Sequence, residues 1–219
     1  MQFDIVCFDC DSTLSRIEGI DELARSSGVF AEVAALTDSA MNGEIALEDV
    51  YAKRLDVIKP NSHALSQLAE QYIAEMVEGV EEVFSTLLAA DKQVHIISGG
   101  LRQAILPLAA RLHVPPANVH AVDVSFDHDG QYLDFDRHSP LAKSGGKALV
   151  CRQINPNSAS NMVLVGDGKT DLEAQHAGAK VIGFGGVVRR ELVEAQADVF
   201  VTEPSLMAVL PYLLHANSN

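Results

Sequence analysis

Cysteine is scarce. The 219 residues include three, Cys7, Cys10 and Cys151, too few for a disulfide framework or a cysteine zinc site, and this fits a reducing cytoplasm. The eight histidines form no His-x-x-x-His and no His/Cys cluster, a second argument against zinc. No apolar run approaches the ~20 residues that a membrane helix needs. A strand-like segment opens the chain without a basic region ahead of it, so no signal peptide is expected. Positive charge is short too, and the formal net charge is −14. Nucleic acid and anionic membrane are poor partners for such a surface. A phosphorylated metabolite would be repelled at long range, so any phosphate site must carry its own cations. What remains is a chain that is 47% hydrophobic, able to bury a full core and long enough for one small extra domain.

The order of patterns predicts an α/β fold. Ile5-Val6-Cys7-Phe8 is a short apolar run of strand formers. From about residue 15 to 75 the periodicity is helical. Ile20, Leu23 and Ala24 share a face; Leu47, Val50 and Leu55 suggest another helix. Leu65, Leu68, Ala69, Tyr72, Ile73 and Met76 follow the start signal Pro60-Asn61-Ser62. Strands and helices then alternate. Val94 to Ile97 reads as a strand ending in Ser98-Gly99-Gly100. Leu101 to Leu112 reads as a helix that Pro107 should kink or shorten. Val119 to Phe126 is extended, with a hairpin at Asp129-Gly130. Met162 to Val165, Lys180 to Gly183 and Val199 to Val201 read as further strands. This predicts a doubly wound parallel sheet with helices on both faces, Rossmann-like, carrying a small inserted helical cap. The expected core is 1–14 and 76–219, and the expected cap is 15–75.

In such sheets the ligand crevice lies outside the carboxyl ends of the strands. Asp9, Ser98 and Asp167 each follow a predicted strand, so three distant polar clusters meet at one edge. Asp9 and Asp11 stand one residue apart, a nucleophile and a proton carrier in reach of each other. With Asp167 and Asp171 they crowd four carboxylates together, and two such charges at 4 Å cost about 4 kcal/mol at an effective dielectric of ~20. A hard divalent cation relieves this, and magnesium suits carboxylates plus a substrate phosphate. Asp167 and Asp171 could instead complement a helix dipole, and Ser98-Gly99-Gly100 could be an ordinary turn rather than a phosphate cradle. Lys147 and Lys143 compete as the local cation.

Asp-x-Asp-Ser-Thr after the first strand, Ile-Ser-Gly-Gly, a lysine after Ser-Gly-Gly, and Gly-Asp-Gly-x-Thr-Asp, in that order, resemble the haloacid-dehalogenase superfamily. Within it the chain is similar to the phosphoserine phosphatases almost from end to end, including Glu18-Gly19-Ile20-Asp21-Glu22-Leu23, Ala40-Met41, Arg54-Leu55 and Ile182-Gly183-Phe184-Gly185-Gly186. The resemblance implies magnesium-dependent hydrolysis of O-phosphoserine to serine and phosphate, the last step of serine biosynthesis, in a cytoplasmic monomer or homodimer. It implies Asp9 as nucleophile and Asp11 as acid/base. Magnesium would be held by the Asp9 carboxylate, the Asp11 carbonyl and Asp167. Ser98 and Lys147 would bind the phosphoryl group beside the Gly99 and Gly100 amides. Asp171 would support Lys147, and Thr170 would lie near substrate. In a mobile cap, Glu18 would meet the ammonium and Arg54 the carboxylate, with Met41 and the Asn42 backbone lining the pocket. Leu47, Asn42 and Pro107 depart from the family pattern.

Other readings use the same residues. Gly168-Lys169-Thr170 mimics the end of a phosphate-binding P-loop, but that motif needs glycine where Val163 stands. A non-enzymatic phospho-receiver also combines acids, a hydroxyl and a lysine. The same hydrolysis could act on another small phosphorylated amino acid, amine or alcohol.

Overall fold

The computed structural model describes residues 3–42, 44–156 and 161–214. The chain begins with β1 (Ile5–Phe8), followed by four helices: α1 (Gly19–Ser26), α2 (Phe30–Met41), α3 (Leu47–Ile58) and α4 (Ser62–Ala74). Alternation then sets in with α5 (Val80–Ala89), β2 (Gln93–Leu101), α6 (Arg102–Arg111), β3 (Val119–Val122), β4 (Val124–Phe126) and β5 (Tyr132–Phe135). The remainder is α7 (Gly146–Ile154), β6 (Met162–Gly166), α8 (Lys169–Leu172), β7 (Lys180–Phe184), α9 (Glu191–Gln196), β8 (Val199–Val201) and α10 (Leu210–Leu214).

Six strands form one sheet in the order β3-β2-β1-β6-β7-β8, and every neighbouring pair is parallel. β1 lies at the centre, with β2 on one side and β6 on the other, so the winding reverses there. A crevice opens at the carboxyl ends of strands at such a point. β1 and β6 are buried at every residue, which explains their unbroken apolar runs rather than alternation. The β4–β5 hairpin forms a separate antiparallel pair.

Helix α1 packs against α2, α3 and α4, and α4 lies along α6. Asn61 caps α4, its Oδ1 accepting from the Ala64 amide at 2.8 Å, and the predicted stripe Leu65, Leu68, Ala69 and Tyr72 is the buried face. The chain enters and leaves this helical stretch side by side. Ser15 and Met76 form an antiparallel bridge, flanked by Arg16 N–H to the Glu75 carbonyl at 2.8 Å and Val77 N–H to the Leu14 carbonyl at 2.9 Å.

Three details differ from the sequence expectation. β2 does not stop at Ile97 but continues through Ser98-Gly99-Gly100, because β3 supplies a parallel partner as far as Leu101 opposite Val122, with a register shift on the way. Pro107 sits inside α6 without displacing its start. A proline there costs about 3 kcal/mol, and burying Ala104, Ile105, Leu108 and Ala109 on the sheet outweighs it. The extended stretch from 119 to 126 breaks at Asp123, where the Gln103 side chain takes over the backbone pairing: its Nε2 donates to the Val124 carbonyl at 2.7 Å and its Oε1 accepts from the Val124 amide at 3.2 Å. The three cysteines are free and buried. Among the described residues no helix is long and apolar enough to cross a membrane.

On the sheet, His95 Nδ1 and His120 Nε2 lie 3.2 Å apart across β2 and β3. Burial, then the neighbouring ring, lowers His95 from 6.5 to about 4; burial, then Arg102, lowers His120 as well. At these two rings the folded state therefore binds fewer protons than the unfolded chain below pH 6.5, so this pair costs stability as pH falls from there towards 4. In thermal melts from pH 7 to 4.5, His95→Gln is expected to lose less stability than the parent chain; parallel curves would contradict this.

Candidate active site

Asp9 leaves the end of β1 with its amide bonded to the Val165 carbonyl of β6 at 2.9 Å. Its Oδ1 accepts from the Cys10 amide at 2.8 Å and lies 2.9 Å from Lys147 Nζ. Lys147 stands in the first turn of α7, buried, and also donates to Asp171 Oδ1 at 2.6 Å. Burial works against its charge, but Asp171 and Asp9 more than offset this and hold the ammonium protonated. The second oxygen of Asp171 accepts from the Gly168 amide at 2.9 Å. Lys147 rather than Lys143 is thus the buried cation; Lys143 is exposed. This arrangement needs a residue without a side chain at the end of β6, since a Cβ on Gly166 would stand 2.1 Å from Asp171 Cγ.

Asp167 follows β6 and is 3% exposed. Arg190, just ahead of α9, donates from Nε to its Oδ2 at 3.1 Å, and burial followed by the Asp9 charge pushes the Asp167 carboxyl up to about 6. Asp11 faces the helical stretch: its Oδ1 accepts from the Gly19 amide and from the Tyr72 hydroxyl, both at 2.7 Å. Burial and then Asp9 push Asp11 up to about 7. Glu18, preceding α1, accepts from Ser12 Oγ at 2.8 Å and is raised by burial and then by Asp11.

One cavity joins these groups. Asp9, Asp11, Glu18, Arg54, Gly99, Lys147, Asp167 and Thr170 line it, with Ile20, Leu47, Tyr51 and Leu141 as its apolar wall and Lys143 at its edge. Ser98 is fully buried, its Oγ accepting from the Gly100 amide at 2.9 Å. Gly99 is fixed from the far side, where Tyr51 OH donates to its carbonyl at 2.7 Å. Arg54 is buried, and among the described residues its Nε has no hydrogen-bond partner. Asn42 is exposed, and its Oδ1 accepts from Arg190 Nη1 at 3.2 Å; the side chain of Met41 lies outside the described residues.

The donor chemistry fits a hard cation. Carboxylate oxygens of Asp9, Asp167 and Asp171, all buried, lie within 4.8 Å of one another. An all-oxygen set with excess negative charge suits magnesium better than a metal that prefers nitrogen or sulfur. Both Asp171 oxygens already have partners, so Asp9 and Asp167 are the better ligands of the three.

Comparison with known proteins places this geometry. The family model for haloacid dehalogenase-like hydrolases matches residues 3–178. The chain belongs to this family. A curated relative among these hydrolases, the phosphoserine phosphatase of Mus musculus, is 39% identical over 201 residues, covering 91% of this chain and 89% of its own. Two solved structures share the fold at 25% identity and 97% coverage of this chain. One is a substrate-bound phosphoserine phosphatase complex with a TM-score of 0.81, covered over 99% of its length. The other is a phospho-aspartyl intermediate analogue of phosphoserine phosphatase with a TM-score of 0.79, covered over all of its length.

Sequence reasoning missed three side chains of this haloacid dehalogenase-like site. Arg190 lies in no motif, yet besides Asp167 it reaches Glu18 Oε1 at 3.9 Å and Asp38 Oδ1 at 3.7 Å. Tyr72 reads as an apolar position on a helix face and Tyr51 is not singled out by the sequence; both rings are buried, but their hydroxyls address Asp11 and Gly99. The shortage of cations was the one available pointer to Arg190. Gly166→Ala tests the packing directly. Overpacking of this kind costs about 1–3 kcal/mol, so its urea midpoint should fall and hydrolytic activity should drop with it. An unchanged midpoint with full activity would show that Asp171 can move aside freely.

Proposed function

We propose that this hydrolase converts O-phosphoserine to serine and phosphate through a phosphoryl group carried on Asp9. The observation that carries the reading is the cavity itself, where a nucleophile-sized carboxylate beside a buried lysine shares one space with an acid, Glu18, and an unpaired buried guanidinium, Arg54. A small zwitterion needs opposite charges at its two ends, and arginine grips a carboxylate with two bonds. The names of the relatives point the same way.

In the first half-reaction an Asp9 carboxylate oxygen forms a bond to phosphorus while the ester P–O bond breaks. Oδ2 is the oxygen without a hydrogen bond from the described residues. The departing serine oxygen takes its proton from Asp11, whose elevated pKa of about 7 suits both giving and regaining a proton near neutrality. In the second half-reaction Asp11 takes a proton from water as that water attacks phosphorus. The bond from Asp9 to phosphorus then breaks and phosphate leaves. Lys147 stabilises charge on the phosphoryl oxygens, and Ser98 with the Gly99 and Gly100 amides orients them. Magnesium, held by Asp9, Asp167 and the Asp11 carbonyl, supplies further positive charge at the phosphoryl group when bound. Thr170 borders the substrate.

Residues 15–75 act as a cap on the core of 1–14 and 76–219. The bridge between Ser15 and Met76 supports a paired hinge. Glu48 Oε2, accepting from the Ser144 amide at 2.9 Å and its hydroxyl at 2.7 Å, supports a closing contact beside Lys147. Such closure excludes water during phosphoryl transfer. The reaction completes serine biosynthesis, in the cytoplasm.

Asp9→Asn is expected to abolish phosphate release and to leave no labelled enzyme after quench with radiolabelled substrate; activity near that of the parent chain would exclude the nucleophile assigned here. Removal of divalent cation with a chelator should stop turnover on O-phosphoserine and added magnesium should restore it, whereas a chelator-resistant rate would remove the metal from the reaction.

A further inference from the structure

Arg54 is 3% exposed, yet among the described residues it makes no ion pair. Its one hydrogen bond runs from Nη1 to Thr37 Oγ1 at 3.0 Å. Thr37, 2% exposed on α2, donates in turn to Asp21 Oδ1 on α1. The Val33 carbonyl offers Thr37 a second acceptor at 3.2 Å, but the carboxylate is nearer and charged, so it takes the proton. A neutral hydroxyl is therefore interposed between a buried carboxylate and a buried guanidinium. Its lone pair faces Arg54 because its hydrogen faces Asp21.

Direct pairing of Asp21 with Arg54 would consume the fork of N–H groups that a ligand carboxylate requires. The interposed hydroxyl restrains the guanidinium through one nitrogen and leaves the others uncommitted, including Nε, which has no hydrogen-bond partner among the described residues, on a side chain that lines the cavity. Tyr51 limits the remaining freedom, with its ring centroid 5.4 Å from Arg54 Cζ. We propose that Thr37, held by Asp21, is a positioning residue that presets Arg54 for the carboxylate of the substrate and so sets selectivity for phosphorylated amino acids over phosphorylated amines. The proposal rests on the reading of Arg54 given above.

The test compares kcat/KM for O-phosphoserine with that for O-phosphoethanolamine, which lacks the carboxylate. Thr37→Val keeps the shape and removes the hydroxyl. It should lower kcat/KM for O-phosphoserine about tenfold or more and change that for O-phosphoethanolamine by less than about twofold. Thr37→Ser, retaining the hydroxyl, should keep the parent ratio, and Asp21→Asn should narrow it. In an Arg54→Gln background, Thr37→Val should cost no further selectivity, since both changes act through one group. Equal losses on both substrates, or full additivity with Arg54→Gln, would overturn the relay. Should Thr37→Val not fold, the Thr37→Ser and Asp21→Asn ratios decide alone. If Arg54→Gln leaves the ratio intact, the carboxylate role of Arg54 fails and the relay with it. If Arg54→Gln narrows the ratio while Thr37→Val does not, only the relay fails.

Discussion

The ammonium of Lys147, bonded at once to Asp9 and Asp171, sets the terms for the whole sheet edge. Three buried carboxylates within 4.8 Å of one another repel strongly in a medium of low polarity, and an unpaired buried charge is among the costliest defects a fold can carry. The lysine is delivered by α7, whose first residue must be glycine-sized because a Cβ on Gly146 would meet the Pro140 carbonyl oxygen at 2.0 Å. Asp171 reaches it only because Gly166 ends β6 without a side chain. Packing of two glycines and the placement of one charge are thus a single constraint.

The helical stretch between β1 and α5 completes the edge from above. Tyr72 donates to Asp11, Tyr51 to the Gly99 carbonyl, and Glu48 receives two bonds from Ser144. Each contact joins this helical stretch to a residue that lines the cavity or adjoins one that does. The Asp11 oxygen held by Tyr72 and by the Gly19 amide is already occupied, so in the reaction proposed above the proton is carried by its other oxygen. A Cβ on Gly19 would stand 2.0 Å from the Tyr72 hydroxyl, so the same close approach that orients Asp11 depends on a glycine in the first turn of α1.

Most of this architecture was legible in the order of residues. Buried parallel strands announce themselves as short apolar runs, and Asp9 and Asp167 fell at their ends as the crevice rule requires. What stayed hidden depended on partners distant in the chain. The glycines after Ile97 signal a turn locally, but pairing with β3 holds them in the strand. Pro107 signals a break, but its helix is fastened by the face it buries. Arg190 is 148 residues from Asn42 and 23 from Asp167, separations at which no periodicity carries information. Tyr72 matched its helical stripe so well that its hydroxyl had no reason to be singled out.

The acidic surface and the anionic substrate are reconciled by depth. Exposed charges act over roughly 8 Å at physiological ionic strength, so a net charge of −14 governs approach to the cavity more than residence in it. Inside, the cations are graded by pairing. Lys147 is held by two carboxylates, and Arg190 by Asp167 with Glu18 and Asp38 nearby. Among the described residues Arg54 has no counter-ion, only the Thr37 hydroxyl and the Tyr51 ring beside it. A charge already neutralised by the fold contributes orientation, whereas one left without a counter-ion gains most from an incoming anion. On the reading proposed here, selectivity for the acidic end of a substrate belongs to Arg54, and it is set by how little of that guanidinium the protein keeps for itself.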